Sequence, residues 1–157
     1  VDVFIDNFLN VQCGSRERVR TEILKNFSDQ CHDLYLKAKI TPGFIDFVSS
    51  LEGSKYIASG SEQVGLIRAF EERGLINYLV DVFGSPETKK SIISRILDSE
   101  KTKNAVMFGD AISDFDAATN NGIDFIAYTP YSNVKETLTT LTTTSGYRVF
   151  NSWSDVK

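Results

Sequence analysis

Cysteine, histidine and clustered positive charge are all scarce in this sequence of 157 residues, and each scarcity closes off a class of function. The two cysteines, Cys13 and Cys31, lack metal-ligand spacing, so free thiols in a reducing cytoplasm are the default expectation. The one histidine, His32, lies in a mixed helical segment, where a packed or solvent-facing role is favoured over that of a catalytic base. Lys and Arg number 17 against 21 Asp and Glu, a formal net charge of −4, and the basic residues are scattered. The exception is Arg16-Glu17-Arg18-Val19-Arg20, whose internal Glu suits a solvated helix face. That distribution excludes the basic footprint of a nucleic-acid binder. No apolar run approaches the ~18 residues of a membrane span, and the start does not resemble a signal peptide. No internal repeat is present, and low complexity is confined to the Thr-rich residues 137–144.

What is present is an ordinary globular composition, 41% hydrophobic and 24% charged. The length allows one domain with a sizeable core, or a core and a small lobe. Residues 15–39 read as one or two helices, with Val19, Ile23, Leu24, Phe27, Cys31, Leu34 and Tyr35 recurring at helical spacing. Thr41-Pro42-Gly43 is a turn, and a short helix carries Phe44, Phe47, Val48 and Leu51 on one side. The rhythm then changes. Strands are expected at 55–58, 79–83, 105–108, 123–128 and 147–150. Helices are expected at 62–73, from Ser85-Pro86 through Leu97, at 115–121 and at 133–141. Strands alternating with helices of this length mean βαβ units and a parallel sheet.

Three strand ends carry chemistry-bearing residues, and ligands of parallel α/β sheets bind beyond the carboxyl ends of strands. Ser59-Gly60-Ser61-Glu62 can hold a phosphate oxygen through a hydroxyl and backbone N–H groups. Taken alone, though, Ser59 and Glu62 suit an S-x-x-E capping box better. Gly84-Ser85-Pro86-Glu87-Thr88-Lys89-Lys90 places two lysines in the first turn of a helix, at the positive end of its dipole. A bound anion would reverse that penalty; exposed lysines also tolerate it. At Gly109-Asp110-Ala111-Ile112-Ser113-Asp114 an apolar run ends in Gly-Asp, and a second acid follows four residues on. Asp110 and Asp114 together suit a hard cation such as Mg²⁺ serving a phosphoryl group. Helix capping by Ser113 or Asp114 is the plainer alternative, and the two roles can coexist at Asp114.

These three segments, with Tyr56-Ile57-Ala58 leading the first, resemble in order and separation the second, third and fourth motifs of the haloacid dehalogenase-like hydrolases. Ala117-Ala118 and Asn121-Gly122-Ile123 resemble that family's sequence after its acidic motif. The resemblance implies a three-layer Rossmann-like α/β core over residues 41–157 and a helical cap lobe over residues 1–40, with Cys13-Gly14-Ser15-Arg16 facing substrate. It implies that Ser59 and Gly60 bind the phosphoryl group and that Lys89 neutralises charge. Asp110 would ligate Mg²⁺, with Asp114 either joining it or orienting Lys89. The expected function is Mg²⁺-dependent hydrolysis of a small phosphorylated metabolite through an aspartyl-phosphate.

The family's first motif, an apolar strand ending in Asp-x-Asp, is not supplied. The nearest candidate, Val3-Phe4-Ile5-Asp6-Asn7-Phe8, has Phe8 where the second acid belongs, and it stands only about fifty residues before Ser59. Residues 1–10 read instead as a cap helix with Val3, Phe4, Phe8 and Leu9 inward. The core is therefore expected to lack its first strand and nucleophile, the 157 residues to be part of a longer protein, and this chain by itself to be inactive. A non-catalytic binding domain of the same fold and a metal-independent dehalogenase are the alternatives. A dinucleotide-binding domain is further away, since no Gly-x-Gly-x-x-Gly follows a strand.

Overall fold

Helix α1 (Arg16–Lys37) begins the part of the chain that the computed structural model describes, residues 15–155 without the side chains of Ser28 and Cys31. The helix expected over residues 1–10 and the Cys13-Gly14 segment lie outside those residues. After α1 come α2 (Phe44–Ser50), β1 (Tyr56–Glu62), α3 (Gln63–Glu72), a 3₁₀ turn (Leu75–Tyr78) and β2 (Asp81–Ser85). The second half continues with α4 (Lys89–Glu100), β3 (Val106–Gly109), α5 (Ile112–Asn121), β4 (Asp124–Tyr128), α6 (Lys135–Thr144), β5 (Arg148–Phe150) and a 3₁₀ turn (Trp153–Asp155). The fold is the expected three-layer, Rossmann-like α/β arrangement. All strand pairs are parallel, β1 with β2 and β3-β4-β5 in order. Among the described residues, no strand pairs with the remaining edge of β1 or β3.

Alternation along the strands sorts side chains onto two faces. Met107 stands opposite Phe125, and Ala127 opposite Val149. This face packs on α4, α5 and α6 through Ile93, Ala117, Ala118 and Leu138. Phe108 stands opposite Ile126, and Tyr128 opposite Phe150, on the other face. There Trp153 stacks on Tyr128 at 4.0 Å and on Phe47 at 4.6 Å between ring centroids. The Trp153 indole N–H donates to Thr41 Oγ1 at 2.9 Å, so the end of the chain is tied to the turn between α1 and α2. Burial raises the Tyr128 hydroxyl above the usual tyrosine pKa, with the neighbouring Tyr131 adding to the effect.

Four local expectations change. Residues 15–39 form one helix, and Phe27 and Leu34 of its apolar stripe stay 65% and 66% exposed. The reason is that α1 meets the core along the side bearing His32 and Tyr35, where it packs on α3. Ser85-Pro86 does not start a helix. It is a cis peptide at the end of β2, and α4 starts at Lys89, capped by Thr88 Oγ1 accepting from Ser91 N–H. The capping box at Ser59 does not form, because β1 runs through to Glu62, whose own carboxylate accepts from Val64 and Gly65 N–H at 2.8 Å. Finally, α6 extends through its threonines to Thr144. Their hydroxyls donate back to carbonyls one turn earlier, as Thr140 does to Glu136 and Thr144 to Thr140, and packing on β4 and β5 overrides poor propensity.

The aromatic face yields a stability prediction. Trp153→Ala removes the ring that bridges α2, β3 and β4, and because Trp153 keeps some exposure the loss should be about 2–3 kcal/mol. The urea midpoint measures it; an unchanged midpoint would mean that the terminal turn is not part of the folded core.

Candidate active site

The loop after β3 is organised by one carboxylate. Asp114, the third residue of α5, is 4% exposed. Its Oδ2 accepts from the N–H groups of Asp110 and Ala111, both at 3.1 Å, which closes the turn between strand and helix. Its Oδ1 accepts from Lys89 Nζ at 2.5 Å, reaching across to the first residue of α4. A charge this deep is tolerable only when paired and hydrogen-bonded, and Asp114 is both. Lys89, otherwise ill placed at the positive end of a helix dipole, finds its counter-charge there. The side chain fits because Gly109 has none: a Cβ on Gly109 would come within 2.3 Å of Asp114 Cβ.

Asp110 is placed differently. Its backbone is pinned, the N–H to Asp114 and the carbonyl accepting from Ser132 Oγ at 2.6 Å. Its side chain is exposed and makes no hydrogen bond or ion pair among the described residues.

The loop after β1 is held against β2. The register of that pair breaks between Ala58 and Glu62. The Gln63 side chain fills the interruption, donating to the Val82 carbonyl at 2.8 Å and accepting from Gly84 N–H. It thus bonds the β2 backbone where the ladder is interrupted. Gly84 is needed for the approach, since a Cβ there would lie 2.5 Å from the Ser61 carbonyl. Within the bulge, Ser59 Oγ accepts from Ser61 N–H at 3.1 Å. One lone pair of Ser59 is engaged, and its hydroxyl proton has no acceptor among the described residues.

Gly60, Ser85, Thr88, Lys89, Ser113 and Asp116 line one open cavity of about 490 Å³. The structure thus brings Gly60 and Lys89 to one cavity, Lys89 to Asp114, and Asp114 to Asp110. Ser59 stands next to Gly60 on β1. Glu87 also faces the cavity; the Arg95 guanidinium bonds to it and draws its carboxyl below the usual glutamate pKa. His32 is packed on α3 with Nε2 3.5 Å from Glu72, away from the cavity-lining residues. Gln63, Ser61, Ser132 and Thr88 all shape the site, and none was expected to. Only Thr88, a hydroxyl just ahead of Lys89-Lys90, carried a readable sign, that of a helix cap.

Gly109→Ala should destabilise the protein by about 1–3 kcal/mol, because the new methyl must displace a rigidly held carboxylate. Gly60→Ala, with nothing within 4 Å of the added Cβ, should change stability by less than ~0.5 kcal/mol. Thermal unfolding of the two variants tests the pair, and equal effects would contradict the close approach at Gly109.

Known proteins share both the sequence pattern and the fold. The family model described as haloacid dehalogenase-like hydrolase matches residues 6–128. A HAD-superfamily hydrolase from Ehrlichia chaffeensis superposes with a TM-score of 0.60 at 16% identity, over 94% of this chain and 75% of that one. At such identity the likeness speaks for the fold. No curated protein matches the chain. With most of its length covered by the family model, the chain belongs to the haloacid dehalogenase-like hydrolases.

Proposed function

We propose that this hydrolase is a Mg²⁺-dependent phosphatase for a small phosphorylated metabolite, working through an aspartyl-phosphate whose nucleophile lies outside residues 15–155. One observation carries the reading: an ammonium group locked by a buried carboxylate at the cavity wall, with a second, unpaired carboxylate at the end of the adjoining strand. A dianionic phosphoryl group needs positive charge and fixed donors more than it needs covalent chemistry from most of its surroundings. Lys89 supplies the first, held to its position by Asp114 Oδ1. Ser59 supplies a hydroxyl proton, and Gly60 leaves the cavity mouth open beside it.

The donor set suits Mg²⁺. That ion takes one or two carboxylates together with substrate phosphate oxygens and water. Asp110, with its carboxylate free, would be the ligand. Of the two roles expected of Asp114, orienting Lys89 is the better supported, since both of its oxygens are already engaged. When bound, the ion would neutralise charge on the phosphoryl oxygens. Asp114 meanwhile fixes both the lysine and the Asp110 backbone, so its effect on turnover is transmitted through them. A metal-independent dehalogenase would leave Asp110 without a task.

Phosphomonoester hydrolysis by the full-length protein, measured with p-nitrophenyl phosphate, should require Mg²⁺ and stop on chelation. Asp110→Ala and Lys89→Met should each lower kcat/KM by about 10²–10³. Full activity of Asp110→Ala would remove the metal assignment, and metal-independent halide release from a haloacid would replace the phosphatase reading altogether.

A further inference from the structure

We propose that Tyr35, on the helix outside the α/β core, is a positioning residue for the Ser59 hydroxyl and acts on it through Ser61. The inference rests on Ser59 being a phosphate ligand and adds what holds it in place. The Tyr35 hydroxyl and Ser61 Oγ share a hydrogen bond of 2.7 Å. Ser61 in turn donates its backbone N–H to Ser59 Oγ at 3.1 Å. The phenol therefore fixes the Ser61 side chain, the Ser61 backbone engages one lone pair of Ser59, and the Ser59 proton is directed elsewhere.

For such a relay to work, its far end must be rigid. Arg73, just past the end of α3, donates from Nη1 to the Tyr35 carbonyl at 2.8 Å and from Nη2 to the Ala38 carbonyl at 2.6 Å. The Tyr35 carbonyl belongs to the last turn of α1, where carbonyls lack intrahelical partners, so the guanidinium caps the helix and bolts it to the core together. One turn earlier, His32 sits 3.5 Å from Glu72 on α3. The backbone of Tyr35 is thus tied to the end of α3, the helix that begins where the Ser59 loop ends, and its ring hydroxyl to Ser61 of β1. The near end is confined as well, since Ser61 presses its carbonyl where any side chain on residue 84 would stand. A phenol that merely decorated the surface would not need these supports.

Inorganic phosphate binding to the full chain, followed by calorimetry, separates the possibilities. Ser59→Ala should weaken affinity about tenfold, and Tyr35→Phe and Ser61→Ala about fivefold each, the size of one lost neutral hydrogen bond. In the Ser59→Ala background, Tyr35→Phe should have no further effect, because its influence runs through that hydroxyl. A structural role would instead leave the two losses additive. If Ser59→Ala weakens binding while Tyr35→Phe and Ser61→Ala do not, or if the losses add, the positioning role of Tyr35 is overturned and the phosphate site stands. If Ser59→Ala is without effect, the phosphate assignment itself fails and the relay with it. Should Tyr35→Phe fold poorly, Ser61→Ala, which leaves the Tyr35 ring in place, decides the matter.

Discussion

A buried carboxylate that answers simultaneously to a lysine on one helix and to two amides at the end of a strand sets the geometry of one side of the site. Without Asp114, the Asp110 and Ala111 N–H groups would lose their acceptor, and Lys89 would stand unopposed at a helix N-terminus. Lys89 begins α4, while the two amides belong to the turn between β3 and α5, so the one side chain ties α4 to that turn. The arrangement is self-enforcing. The carboxylate answers three donors, and its burial is tolerable because all three are present.

The other half of the site solves a different problem. The loop after β1 departs from the sheet, and a departing strand abandons its ladder. Gln63 resolves this by giving its carboxamide to β2 at the point where β1 swings away. The loop is then free of the sheet in direction while still bonded to it in energy. The family membership says that such a scaffold hydrolyses; the particular bonds describe how this sequence builds it.

Legibility in the sequence followed the range of the physics involved. Strand, glycine, acid and a second acid one helical turn later were readable at Gly109-Asp110…Asp114, because strand ending, close approach and helix start are all local events. The two lysines at the start of a helix were readable for the same reason, although the start itself was placed too early at Ser85-Pro86, with Thr88 the true cap. Long-range partnerships left no trace. Nothing in Gln63 announces Val82, and nothing in Tyr35 announces Ser61, since groups 19 and 26 positions apart are paired only by the finished topology. Propensity misled in one place: threonines suggested an early end to the last helix, and burial of Leu138 and Thr142 kept it going.

The stacking of Trp153 carries a consequence for how the protein is made. Thr41 and Trp153 are 112 positions apart in sequence, and the ring completes a cluster whose other members are Phe44, Phe47, Phe108 and Tyr128. During synthesis those four aromatic rings emerge from the ribosome well before the residue that covers them. Until Trp153 is translated those rings lack the partner that stacks on them, so the nascent chain passes through a stage at which four aromatic residues wait on one made later.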